Sequence, residues 1–418
     1  MKRFGWILAA AGLLGLLLAG MIGYLVWHMG QNRYVSSELV EVSMEEGKEK
    51  SAGAGEPRGA EDDSGSERID SLDTAAGEEG EGAAAGNQTP EREELEAEEP
   101  VRDIVSEASP LRFVFAGDVL LSDHVLKAYG EAGTIDGVVD DELRSVIDGS
   151  DVFMVNQEFP FSNRGEAAAD KQYTFRLPPE KISLFHELGI NIVTLANNHA
   201  LDYGTDALLD TCQALDEAGI RRVGAGANLD EAKKPVIMEL KGKKVGFLGA
   251  SRVIPTGSWN ATASGPGMLT TYDPSVLLKE IRAAREVCDL VIVYVHWGIE
   301  RDERPQAYQR TLGQQYIDAG ADIVIGSHPH VLQGVEYYKG KPIVYSLGNF
   351  IFGSSIPRTA LLTVDWDGEN VRLGMVPGVS SAGFTRAVTD DNEKERFYDY
   401  MTSISYGAVV DRNGYREQ

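Results

Sequence analysis

An apolar run ends in IVIGSHPH and delivers His328 and His330, two of the chain's seven histidines, into the turn at its tip. On an extended or tightly turned backbone an i, i+2 pair can aim both side chains to one side, and imidazole is a common metal ligand. His-Pro-His is also an ordinary polar turn, so the pair alone decides nothing. Four further apolar runs end in the same manner: one closes on Asp118, one on Asn156-Gln157-Glu158, one on Asn197-Asn198-His199 and one on His296. Each has a plain alternative. Asp118 could cap a helix, Glu158 could be a solvated loop carboxylate, Asn198 and His199 could be turn formers, and His296 could be a satisfied core histidine. Together, five runs that stop in carboxylate, amide and imidazole groups point to one shared metal site.

The elements that must position these groups are short strands at 113–116, 152–155, 192–196, 291–295 and 323–325. Helical patterns at 179–188, 206–218, 275–287 and 306–319 lie between them. Such alternation is the signature of an α/β domain, with the helices as crossovers of a largely parallel sheet. In open α/β sheets the carboxyl ends of the strands converge on the ligand crevice, which would gather all five ends. His186 falls within a helix and reads as a surface residue, and His124 borders the cleft at most. The SGPG stretch around Gly265 lacks the Lys and the strand-to-helix setting of a phosphate loop and reads as a surface loop. Cys212 and Cys288 lie in apolar-periodic segments and read as core, with their pairing left open.

The N-terminal quarter has a different character. Lys2 and Arg3 precede an uncharged apolar run at 4–27, whose 24 residues, at about 1.5 Å each, could span a hydrocarbon core of roughly 30 Å. Trp6, Tyr24 and Trp27 suit the interfaces, His28 flanks the run, and the basic pair favours a cytoplasmic N-terminus. A cleaved signal peptide is the competing reading, but the run is long for one and no clear cleavage site follows. From Val35 to Arg112 there is no aromatic residue; between Glu41 and Ala108 stand 22 acidic and 6 basic residues, carrying 16 of the 26 net negative charges. Such a segment buries too little apolar surface to offset its ordering entropy and reads as a self-repelling spacer. The expected organisation is a transmembrane anchor at 1–33, a disordered acidic linker at 34–109 and one α/β domain at 110–418. The location that follows is the cell membrane, single-pass, with the C-terminal domain extracytoplasmic. The acidic balance, with no basic stripe, argues against nucleic acid as a partner.

FAGDVLL, VNQEFPF, LANNHALDYG, VHWGIE, GSHPHV and YSLGNFIF, in that order, resemble the bacterial capsule-synthesis CapA family, associated with poly-γ-glutamate capsules. Its domain is similar to the calcineurin-like metallophosphoesterases, and the resemblance covers roughly residues 111–352. It implies a metallophosphatase-like α/β sandwich with the site at the strand C-terminal ends. By position it implies Asp118, Glu158, Asn198, His296, His328 and His330 as metal ligands. His199 would polarise or protonate a substrate phosphate, with Asp202 as the carboxylate that orients it. Such ligands suit one or two divalent ions of Mn, Fe, Zn or Mg.

Two departures bear on this expectation. Where phosphoesterases place a histidine two residues after the first aspartate, this chain has Leu120, and Glu158 replaces the bridging aspartate. The fuller position would be Glu158, Asn198, His296 and His328; the poorer one Asp118, Glu158 and His330. Two function classes follow. One is an accessory protein of capsule or envelope polymer synthesis, handling an anionic polymer beside a membrane-bound synthase. The other is a metal-dependent hydrolase of phosphoesters or amides at the cell surface. For binding an anionic chain, Arg164, Lys171 and Arg176 follow Glu158 closely, and Arg252 and Arg301 follow other strand ends; all can equally be solvated loop charges.

Overall fold

The computed structural model describes residues 109–417, so the apolar run at 4–27 and nearly all of the acidic segment lie outside the described residues. Among the described residues no helix is long and apolar enough to cross a membrane.

The expected strands form, and they divide between two large sheets packed as a sandwich, which the family resemblance implies and the strand pattern alone does not. In the first, Leu111–Val119 (β1), Val152–Gln157 (β2), Ile192–Thr194 (β3) and Arg221–Val223 (β4) run parallel. Two small strands, Ala225–Gly226 (β5) and Gly267–Met268 (β8), pair with each other, so the end of the SGPG stretch is buried structure and not open loop. In the second sheet Val236–Leu240 (β6) lies antiparallel to Lys243–Ser251 (β7), which is followed in parallel by Leu290–His296 (β9) and Ile323–Ser327 (β10). Leu332–Tyr338 (β11) forms the other edge, antiparallel to Lys341–Leu347 (β12), itself parallel to β10. The short Asn349–Ile351 (β13) returns to the first sheet, parallel to the end of β1. There Ser355–Trp366 (β14), Val371–Ser381 (β15) and Phe384–Ala387 (β16) continue that sheet antiparallel from β1. A hairpin of Ala408–Asp411 (β17) and Gly414–Glu417 (β18) ends the chain.

Strand alternation sorts the apolar residues into layers. Phe113, Phe115, Val152, Met154 and Ile192 of the first sheet meet Phe247, Ile292, Tyr294, Ile323 and Ile325 of the second in one core. The rings of Phe113 and Phe247 touch edge to face at 6.2 Å between centroids. The alternate residues Val114, Phe153, Val155 and Val193 face the helix Gly204–Glu217, which buries Leu208, Cys212 and Leu215. On the far side Leu248, Val291, Val293 and Val324 pack against the helices Ser275–Arg285 and Ala307–Ala319. The result is a helix–sheet–sheet–helix sandwich. Cys212 and Cys288 are free and sit in opposite outer layers, so they do not pair.

Candidate metal centre

Each ligand candidate lies at the end of a strand or within the four residues that follow it. Asp118 is drawn inward because β1 kinks at Gly117: a Cβ there would lie 1.8 Å from the Gly348 carbonyl oxygen, to which the Asp118 amide donates at 2.8 Å. Glu158 follows β2 and donates its amide to the Val119 carbonyl at 3.0 Å, so its fully buried side chain lies beside Asp118. His296 is the last residue of β9, paired in register with Ser327 of β10. The next turn carries His328 and His330 at φ 99° and 58°, the left-handed region, which costs a non-glycine residue about 1–3 kcal/mol. That strain is held by contacts across the sheets: the His328 amide donates to Asp118 Oδ2 at 3.2 Å, and His330 Nδ1 lies 2.8 Å from Asn349 Oδ1.

Two groups of ligand atoms result, each with all its atoms within 4.8 Å of one another: Glu158, His296 and His328, and Asp118, Glu158 and His330. Asn198 joins the first, its Oδ1 lying 2.8 Å from His296 Nε2. The other imidazole nitrogen of His296 is 3.1 Å from Ser327 Oγ, which fixes the ring. A chain of amides ties the first sheet's strand ends together: Asn197 Nδ2 donates to Asn156 Oδ1 at 3.0 Å, and Asn156 Nδ2 to Asp118 Oδ1 at 2.8 Å. In the sequence Asn156 and Asn197 are marked only as carboxamides at the ends of apolar runs, and Asn349, after Ser346-Leu347-Gly348, carries no such signal.

The donor set fits a cation. Both Glu158 carboxylate oxygens and His328 Nδ1 are buried with no hydrogen-bond partner among the described residues. An unpaired buried carboxylate costs several kcal/mol. Burial, and then the neighbouring Asp118, hold the Glu158 carboxyl well above the usual range. Burial also keeps His296 well below its ordinary value and brings His328 down to about 3, leaving both in the neutral form that metals bind. Burial opposes charge on His330 too, yet Glu158 and Asp118 prevail and push it up to about 10. A divalent ion would satisfy the orphaned atoms and supply the missing positive charge, and carboxylate, imidazole and amide ligands suit Mn, Fe or Zn.

Beside the cluster His199 Nδ1 is 2.6 Å from Asp202 Oδ2, and Phe175 stacks on the imidazole at 4.4 Å between centroids. Lys171 enters the same spot, donating to the Asn198 carbonyl at 2.5 Å and pairing with Asp202. Burial pulls both His199 and Lys171 below their ordinary values, against the opposite pull of Asp202. The six ligand candidates and the His199–Asp202 pair are thus brought together. The two arginines are held elsewhere: Arg164 grips Asp210 at 2.5 Å on the helix Gly204–Glu217, and Arg176 donates to the Arg164 carbonyl at 2.9 Å while lying over Tyr203. Leu120 packs into the apolar layer beneath the first sheet's helices.

The model of the family described as "Bacterial capsule synthesis protein PGA_cap" matches residues 112–354. A curated relative named "Capsule biosynthesis protein CapA", from Bacillus anthracis, is 35% identical over 326 residues, covering 75% of this chain and 78% of its own. Another, "PGA biosynthesis protein CapA" from Bacillus subtilis (strain 168), is 34% identical over 247 residues, covering 59% of this chain and 64% of its own. Among solved structures, a hypothetical protein from Thermus thermophilus superposes with a TM-score of 0.40 at 17% identity, over 64% of this chain and 98% of that one, a likeness too distant to argue from.

Proposed function

The chain belongs to the bacterial capsule synthesis protein family, and from that premise we propose that it serves the synthesis or export of a γ-linked polyglutamate capsule or a related envelope polymer, working through a divalent-metal centre at its strand ends. The observation that carries the metal reading is the buried Glu158 carboxylate, unpartnered on both oxygens and faced by His296, His328 and His330. Glu158, Asn198, His296 and His328 would hold one ion; Asp118, Glu158 and His330 a second, less fully ligated one. A bound ion supplies Lewis acidity toward a carbonyl or phosphoryl oxygen. The chain's own residues hold and orient the anion: Asp202 and Lys171 fix the His199 ring, and Phe175 stacks on its face.

The apolar run at 4–27 and the acidic spacer support a single-pass anchor that keeps this domain outside the cell beside a membrane-bound polymer synthase. A second reading, hydrolysis of a phosphoester or amide, is favoured by the His199–Asp202 pair, which is the geometry of a proton donor with its orienting carboxylate.

The test is a complementation experiment with the full-length chain. A His296/His328 double alanine variant should be exported and folded, hold little metal, and fail to restore surface polymer in cells lacking the wild-type protein. Equal metal content in variant and wild type would remove the assignment of the site. Normal polymer output from a folded, metal-poor variant would separate the centre from the polymer. Cleavage of a phosphodiester by wild type and not by His199→Ala, at equal metal content, would favour the second reading.

A further inference from the structure

Strand β7 ends at Ser251, which pairs in register with His296, and the amide of the next residue, Arg252, donates to the His296 carbonyl at 2.7 Å. Alternation turns the buried Ser251 toward the inter-sheet side and sends the Arg252 side chain to the outer, helix-side face, the side of Trp297, next to the turn that follows His296. There the guanidinium lies 3.8 Å from the ring centre of Tyr272 and 5.2 Å from that of Tyr308. The Tyr308 hydroxyl is fastened to Gly298, accepting from its amide at 2.9 Å and donating to its carbonyl at 3.2 Å, two residues beyond His296. Two large side chains stand open beside this turn, Tyr272 at 57% exposure and Ile299 at 52%.

Of the other cations near the strand ends, exposed Arg301 has no side-chain partner among the described residues and no ring holds it, while the remaining three have spent their donors. Lys171 is taken up by Asp202 and the Asn198 carbonyl, Arg164 by Asp210, and Arg176 by two backbone carbonyls. Arg252 differs: among the described residues it has no carboxylate partner and its guanidinium makes no hydrogen bond, yet two rings hold it in place. A guanidinium covered on its faces keeps its in-plane N–H groups for a ligand, and their spacing matches a carboxylate bidentately. Pre-positioning by the rings removes much of the ordering cost that a free surface arginine would bear on binding.

We propose that Arg252, held by Tyr272 and Tyr308, is a carboxylate-binding subsite that holds one free α-carboxylate of a γ-linked polyglutamate chain on the outer side of the turn after His296, while a further stretch of that chain reaches over the turn to the metal centre. This rests on the polymer reading above and adds to it the residue that recognises the repeat. A γ-linked chain carries one carboxylate per residue, separated along its backbone by an amide and two methylenes. The carboxylate suits the guanidinium edge, and the methylenes suit the open faces of Tyr272 and Ile299.

The test uses the full-length, manganese-loaded protein and a fluorescent γ-linked oligoglutamate, with affinity read by anisotropy at physiological ionic strength so that non-specific charge attraction is screened. Arg252→Met should weaken binding at least tenfold. Arg252→Lys should fall between, because an ammonium keeps the charge without the fork. Tyr272→Leu should cost less than Arg252→Met, and metal content should stay at the wild-type level in all three. Wild-type binding that Arg252→Met leaves unchanged overturns the subsite and leaves the polymer reading standing. No binding by the loaded wild type overturns the polymer reading and the subsite with it. Competition by an inorganic polyphosphate of similar length as strong as by unlabelled oligomer overturns the carboxylate assignment.

Discussion

The two sheets bring different chemistry to their shared edge. The first contributes oxygen ligands: Asp118, Glu158 and Asn198, braced by Asn156 and Asn197. The second contributes imidazoles: His296, His328 and His330. The first sheet's own histidine, His199, is turned to Asp202 and belongs to neither ligand group. Neither sheet holds a site by itself. The seam is made of cross-sheet bonds, from the His328 amide to Asp118 at 3.2 Å, from the Tyr294 hydroxyl to the Ala116 carbonyl at 2.8 Å, and between His296 and Asn198 at 2.8 Å. Sheet packing and cation binding should therefore be coupled, since an ion that binds only the closed sandwich stabilises it by mass action.

The most damaging way to break this division is at the one residue common to both ligand groups, Glu158. Glu158→Gln removes the shared carboxylate and should weaken metal binding more than about 100-fold, beyond the loss typical of residues that only orient a ligand. Without metal the variant should melt within a few degrees of wild type, because the loss of Glu158's attraction for His330 is set against removal of a buried carboxyl whose oxygens make no hydrogen bond among the described residues. Added manganese should raise the Tm of wild type and not of the variant. An equal rise in both would show that the two positions do not depend on Glu158.

A gentler probe separates the imidazoles from one another by pH. With a folded value of about 3, His328 binds fewer protons folded than unfolded. Its contribution is complete above its ordinary value near 6.5 and is lost as pH falls toward 3. With a folded value of about 10, His330 acts in the opposite sense: its contribution is complete below 6.5 and is lost as pH rises toward 10. In metal-free protein, urea midpoints should fall less steeply between pH 6.5 and 4 for His328→Asn than for wild type, and less steeply between pH 7 and 10 for His330→Asn. Slopes unchanged from wild type would mean that these rings do not carry opposite charge states in the folded protein.

What could be read in advance follows the same local-versus-distant divide. Asp118, Glu158, Asn198, His296, His328 and His330 were legible as a group because each lies within a few residues of the end of an apolar run and strand ends in such folds face a crevice; their individual ligand roles came from the family resemblance. Helices expected at 206–218, 275–287 and 306–319 appear at Gly204–Glu217, Ser275–Arg285 and Ala307–Ala319, since 3.6-residue periodicity is a local signal. A sandwich was legible only through the family resemblance, and which strands fall in which sheet was not legible, because strand pairing is decided by packing far along the chain. The broad antiparallel extension β14–β16 lay beyond the recognised motifs. Nor was the different fate of neighbouring cations. Lys171, Arg164 and Arg176 sit within one polar loop, and only the fold reveals that Lys171 is buried against Asp202 while Arg164 is turned to Asp210.

That last contrast supplies the smallest expected effect. Arg164 is 56% exposed at its side chain and pairs with Asp210 and Asp206 on the helix Gly204–Glu217. Exposed pairs of this kind contribute little, because solvent screens the charges and two long side chains lose freedom in meeting. Arg164→Ala should change Tm by no more than about 2 °C and leave both metal content and γ-linked oligoglutamate affinity at the wild-type level, where Arg252→Met loses affinity. The two arginines thus sharpen the boundary of the site: one lies beside the turn after His296, held by two rings with its donors unspent, and the other is already satisfied by carboxylates of its own sheet's helix. Should Arg164→Ala weaken oligomer binding as much as Arg252→Met, the Asp210 pair would have to open when polymer arrives. The loop that carries Lys171 would then be part of the binding surface on the first sheet's side.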